Sequence, residues 1–164
     1  MWDEDSPLGS SDITVDKEGR WFYRGAEIIR REIVELFYRH LVRDPAGQYV
    51  IRWRGQECSV QVEDTPFVIW STAVVREDET PIGVLLEISD GTSEMLDPCS
   101  LCIGPESVPY CAVHEGTAPA RFSRRAYYQL VRMVEEDPRG GGFDLRIGDQ
   151  RYPIRMEPER AWRT

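Results

Sequence analysis

The chain is 164 residues long, with an apolar fraction of 41%, five Trp and seven Tyr, enough to build the core of one domain or of two small packed halves. Its formal charge of −9 argues against non-specific binding to nucleic acid or to an anionic membrane. The acidic start Met1-Trp2-Asp3-Glu4-Asp5 is the opposite of a secretory leader, and no run approaches the roughly 20 apolar residues of a membrane helix. The expected location is therefore cytoplasmic, and the four cysteines are expected as thiols or metal ligands rather than disulfides.

Residues 1–11 read as a flexible acidic tail. Ile13–Val15 and Trp21–Tyr23 read as two strands of a hairpin. Apolar spacing through Ile33, Leu36, Phe37, His40 and Leu41 predicts a helix over Arg30–Arg43, stopped by Asp44-Pro45-Ala46-Gly47. Strands Tyr49–Trp53 and Cys58–Val62 follow around a turn at Arg54-Gly55. The segment 67–107 reads as strand and turn throughout, with strands at Val68–Val75, Ile82–Ile88 and Glu94–Leu96, and Tyr110–Val113 adds one more. Ser123 is a good N-cap for a second helix whose apolar face is Tyr127, Leu130, Val131 and Val134. Phe143–Ile147 and Tyr152–Met156 then form a hairpin, and 158–164 is a tail.

One pattern occurs twice. Arg30-Arg31 opens an amphipathic run that ends at Asp44-Pro45 before Gly47-Gln48-Tyr49. Arg124-Arg125 opens a second, 94 residues on, that ends at Asp137-Pro138 before Gly141-Gly142-Phe143. The expectation is an α+β fold of two repeated strand–helix–β-hairpin units, helices packed on curved antiparallel sheets, spanning 12–66 and 108–157 on either side of the central strands 67–107.

The stretches Ile13–Gly25, Gly47-Gln48-Tyr49 and Val62-Glu63-Asp64-Thr65-Pro66-Phe67-Val68 resemble the bacterial domain-of-unknown-function family 1285. So do Val108-Pro109-Tyr110-Cys111-Ala112-Val113 and Arg125-Ala126-Tyr127-Tyr128-Gln129-Leu130-Val131. The resemblance runs over roughly residues 12–156. It implies a repeat-built α+β fold and a role in ligand binding or signalling, and it carries over no catalytic residue. The cysteine-rich stretch Asp97–Tyr110 departs from the family pattern.

Two groups of residues are candidates for chemistry. Cys99, Cys102, Cys111 and His114 form Cys-x2-Cys-x8-Cys-x2-His, a donor set that suits tetrahedral, structural zinc; the competing reading makes Cys111 a small buried hydrophobe on a strand. Arg30, Arg31, Arg124 and Arg125 sit at two helix starts, where they either hold a small anionic ligand or pair with the chain's own acids. Asp64 is a candidate ligand contact, although Glu63-Asp64-Thr65-Pro66 also reads as a structural turn. His40 reads as a packing residue on a helix face. Gly140-Gly141-Gly142 lacks the Gly-Lys-Ser/Thr ending of a phosphate loop, and no hydrolase, metalloprotease or dinucleotide motif is present.

The function expected from these features is a non-enzymatic ligand-binding or regulatory module, with no cofactor apart from the open question of zinc. Its ligand, a small anion, would lie in a cleft between the two repeats. A protein-interaction subunit of a larger complex is the alternative, and nucleic acid and membrane are excluded as partners.

Overall fold

In the computed structural model, described over residues 12–157, strand pairing dominates: 49% of residues lie in strands and 18% are helical. The tails expected at 1–11 and 158–164 lie outside the described residues. The chain divides into two units, Met1–Pro66 and Phe67–Thr164.

The first unit is a six-stranded sheet with one α-helix. Its strands are β1 (Ile13–Val15), β2 (Trp21–Tyr23), β3 (Ala26–Glu27), β4 (Leu41–Arg43), β5 (Tyr49–Trp53) and β6 (Gln56–Val62), in the order β3-β2-β1-β6-β5-β4. β1 runs parallel to β6, Ile13 opposite Val60; the other pairs are antiparallel. Helix α1 (Arg31–His40) covers Trp21, whose ring lies 5.6 Å from Phe37 and 5.0 Å from Tyr38. The Tyr38 hydroxyl donates to the Pro66 carbonyl at 3.1 Å, so the helix also holds the end of the unit.

α1 is shorter than predicted, and its buried side chains are Phe37 and Tyr38 while Leu36 is exposed. The apolar periodicity continues through Leu41-Val42, but those residues gain more as a strand. They pair with Val50 and Ile51 across a turn that Asp44 closes, its carboxylate accepting from the Gln48 amide at 2.8 Å.

The second unit contains two sheets. β7 (Phe67–Glu77), β8 (Thr80–Ile88), β9 (Ser93–Met95), β10 (Cys102–Ile103), β11 (Pro109–Val113), β12 (Ala118–Phe122) and the last strand, β16 (Arg155–Met156), form a seven-stranded sheet in the order β16-β10-β11-β12-β7-β8-β9. β13 (Val134–Glu136), β14 (Phe143–Ile147) and β15 (Gln150–Pro153) form a separate antiparallel sheet. Parallel pairs again appear, β12 with β7 and β10 with β16. The turn between β7 and β8 places Asp78 and Glu79 at φ of 47° and 67°, the left-handed pair that matches strand twist in a two-residue hairpin.

Helix α2 (Arg124–Leu130) begins where predicted. The Ser123 hydroxyl accepts from the Ala126 amide at 3.1 Å and donates to the Trp70 carbonyl at 3.0 Å, so one side chain caps the helix and ties it to β7. Its buried residues are Ala126 and Leu130, a single helical turn apart. The predicted apolar run beyond Leu130 passes through a 3-10 turn, Val131–Met133, into β13.

The expected α+β fold of two repeated strand–helix–β-hairpin units is therefore corrected to a mostly β fold of three sheets, with two α-helices among the described residues. The doubled Asp-Pro-Gly pattern corresponds to two similar turns: the Gly47 and Gly140 amides donate to the Asp44 and Asp137 carbonyls, each at 2.9 Å. The surroundings differ. β4 and β5 join β6 and β1 in a six-stranded sheet, whereas β13–β15 stand as three strands, and the seven-stranded sheet of the second unit has no partner in the first.

Gly148, in the turn between β14 and β15, has φ of 60°, and a Cβ there would stand 2.9 Å from the Pro81 carbonyl oxygen. Gly148→Ala is expected to lower unfolding free energy by about 1–3 kcal/mol, because a left-handed backbone and a backbone clash combine. Gly55→Ala, with φ of 79° and nothing within 4 Å, is expected to cost only about 1 kcal/mol. Urea denaturation of both variants checks the difference.

Candidate functional site

The second unit carries a groove of about 290 Å³. α2 and the 3-10 turn supply Tyr127, Leu130 and Val131 on one wall, and Val134 and Phe143 come from the three-stranded sheet. The opposite wall is the β10–β16 edge, with Ile103, Met156 and the neighbouring Ile154, Pro109 and Ser107. None of the lining side chains is charged, in a chain where 30% of residues are. Val131, Phe143 and Met156 also stay substantially exposed at the mouth.

The polar side chains of the lining are Ser107 and Tyr127. Ser107 sits in a turn held by the Gly104 amide donating to Val108 at 2.8 Å. Within it Glu106 and Ser107 have φ of 59° and 60°. Two successive left-handed residues without glycine cost about 1 kcal/mol each or more. That turn sets Ser107 at the rim of the groove. Periodicity and spacing in the sequence point to neither Ser107 nor Phe143; the one signal available was Pro105-Glu106-Ser107 as a turn.

The residues singled out by sequence fall elsewhere. Arg30 and Arg31 belong to the first unit, where Arg31 pairs with Glu35 at 2.9 Å one helical turn away, the pairing with the chain's own acids. Arg124 and Arg125 are exposed at the start of α2, and neither lines the groove. Asp64 is buried in the turn that leads to Pro66, while Glu63 accepts from the Lys17 amide at 3.1 Å. His40 is half-buried with its ring 4.3 Å from Trp53.

Cys99, Cys102, Cys111 and His114 are not brought together. Among the described residues no three His, Cys, Asp or Glu side chains group so as to hold a metal ion. Cys111 lies buried in β11 opposite Ala120, and Cys102 lies buried in β10 opposite Tyr110. Cys99 is exposed. His114 turns to the acids of another hairpin: Nε2 is 2.9 Å from Asp90 and Nδ1 is 3.6 Å from Glu94. Its own amide donates to both Glu94 carboxylate oxygens, at 2.9 and 3.0 Å, and its ring meets Phe67 edge-on at 4.7 Å. Asp90 meanwhile accepts from the amide and hydroxyl of Thr92. This cluster pins the β11–β12 turn to the β8–β9 turn, across the curl of the seven-stranded sheet.

Residues 1–65 match the family model described as domain of unknown function DUF1285, N-terminal domain. The fold resembles the crystal structure of a DUF1285 family protein from Silicibacter pomeroyi DSS-3, with TM-score 0.70 and 23% identity over 88% of this chain and 79% of that one. It also resembles a DUF1285 family protein from Shewanella baltica OS155, with TM-score 0.59 and 20% identity over 74% of this chain and 91% of that one. No curated protein matches the chain. The resemblance read from the sequence is thus shown, and at these identities the two structures speak for the fold alone.

Burial pushes the Cys58, Cys102 and Cys111 thiols above their ordinary value of 9.0. In the native protein a thiol reagent is expected to label Cys99 alone at first, with all four cysteines labelled in denaturant; mass spectrometry of the labelled chain reads this directly. The unfolded chain loses those three protons near pH 9 while the folded chain keeps them, so stability is full below that pH and falls as the pH rises through it. Denaturation midpoints measured between pH 8 and 10.5 should decline, and a rising midpoint would contradict the assignment.

Proposed function

We propose that this chain, of the DUF1285 family by its N-terminal domain and its fold, is a non-enzymatic binding module whose site is the apolar groove of the second unit. The observation that carries the reading is the composition of the groove: a concave, uncharged, largely aliphatic and aromatic lining in a strongly charged chain. A surface that only faced water would share the composition of its neighbours. Burying this lining under an apolar ligand is favourable by about 25 cal/mol for each Å² removed from water. The uncharged walls support an apolar ligand over the small anion expected from the arginine pairs. Ligand binding would stabilise the second unit by mass action.

Binding of an environment-sensitive apolar dye tests the reading. One saturable site is expected on the wild-type chain. Val131→Trp, at a position already exposed, fills the groove and should reduce dye affinity at least about tenfold while leaving the unfolding midpoint nearly unchanged. Equal binding to the filled variant, or no saturable binding to either, overturns the proposal.

A further inference from the structure

Resting on the reading of the groove as a binding site, we infer that its ligand is a neutral amphiphile: an aliphatic or aromatic body carrying one hydrogen-bonding oxygen, of the medium-chain alcohol or phenol type. The body is set by the walls. Leu130, Val131, Val134 and Ile154 present methyl groups and no polar atom of a side chain. The volume, about 290 Å³, lies at the bottom of the roughly 300–1,000 Å³ usual for small-molecule sites, so it suits a single ring or a medium chain rather than a long acyl tail.

The oxygen is set by Ser107 and Tyr127. Both are hydroxyls, each able to donate and to accept. Neither hydroxyl has a hydrogen-bond partner among the described residues; Ser107 is exposed and Tyr127 half-buried, so both are open to a ligand at the rim. Ser107 is also held at the rim by a left-handed turn that a plain loop would avoid. A pair of uncommitted hydroxyls on an otherwise apolar lining is the arrangement that orients a ligand by one polar end. The charge of that end follows from what is missing. A carboxylate drawn toward these walls would lose water and meet no cation, since Arg124 and Arg125 stand outside the lining. A neutral hydroxyl exchanges its water for the two protein hydroxyls at little loss.

Methyl NMR of the full chain with 1-octanol and, separately, with octanoate tests this. Octanol is expected to give saturable shifts confined to the methyls of Leu130, Val131, Val134, Ile103 and Ile154. Octanoate, with the same chain length and a charged end, is expected to bind about tenfold more weakly or worse. The double variant Ser107→Ala, Tyr127→Phe, which keeps the ring and the apolar wall, should weaken octanol about fivefold and leave octanoate unaffected. Its ligand-free spectrum verifies that the groove is intact. If octanoate binds as tightly as octanol, or the double variant binds octanol within twofold of wild type, the inference about the polar end is overturned while the groove stands as a site. If neither compound shifts the groove methyls, both the inference and the binding reading fall.

Discussion

The second unit is organised by one irregularity in β7. Between Ile69 and Ser71 the register with β8 shifts, leaving Trp70 as the extra residue of a bulge. A bulge frees backbone groups, and α2 takes them up. Ser123 donates its amide to the Ile69 carbonyl at 2.9 Å and its hydroxyl to the Trp70 carbonyl, and Gln129 accepts from the Thr72 amide at 2.7 Å. Just before the bulge β7 is buried on both faces, with Val68 and Ile69 fully enclosed between β12 and β8. The same strand thus carries the parallel pairing, the antiparallel hairpin and the helix. Ser123 and Gln129 thus tie α2 to β7, and the helix so fixed also brings Tyr127 and Leu130 to the groove lining.

The groove lies where residues of both sheets of that unit and of α2 come together. A glycine at 148 lets the β14–β15 turn approach the Pro81 carbonyl, and only a short strand, β16, leads from the small sheet back to β10. Away from the groove lining, the His114 cluster ties the β11–β12 turn to the β8–β9 turn. Its two carboxylates take both ring nitrogens and the backbone amide, so its polar groups are already engaged. That difference, engaged polar groups at His114 and uncommitted hydroxyls at Ser107 and Tyr127, separates a structural cluster from a candidate binding site.

Much of the strand content was legible in the sequence, because alternating residues bounded by turn dipeptides carry their own signal. Ile13–Val15, Trp21–Tyr23, Tyr49–Trp53 and Phe143–Ile147 form as predicted, as does the Ser123 cap. The sequence misled where two periods overlap. Leu41-Val42 and Val134 continue a helical apolar face, yet each can also pair in a hairpin, and tertiary pairing decided. β12 left no signal: Ala118-Pro119-Ala120-Arg121-Phe122 lacks β-branched residues and contains a proline, and it is a strand because it lies between β11 and β7. The parallel pairs are likewise set by partners distant in sequence. The Cys-x2-Cys-x8-Cys-x2-His spacing was legible as a pattern, but Cys99 is exposed, Cys102 and Cys111 are buried in paired strands, and His114 turns to Asp90 and Glu94.

The candidate site was the least legible part, and the reason is physical. Its lining comes from the helix, the 3-10 turn, five strands and two turns, with no more than two residues from each. No local period gathers such residues. Charged residues are conspicuous in a sequence, and they drew attention to the arginine pairs and to Asp64, which the fold uses at helix starts and in a turn. What marks the groove is the lack of charge over a contiguous surface, a property that exists only after Ile103, Val134, Phe143 and Ile154 have been brought together. In a chain with a net charge of −9, keeping that surface neutral and leaving only two hydroxyls on it distinguishes it from the solvated faces around it.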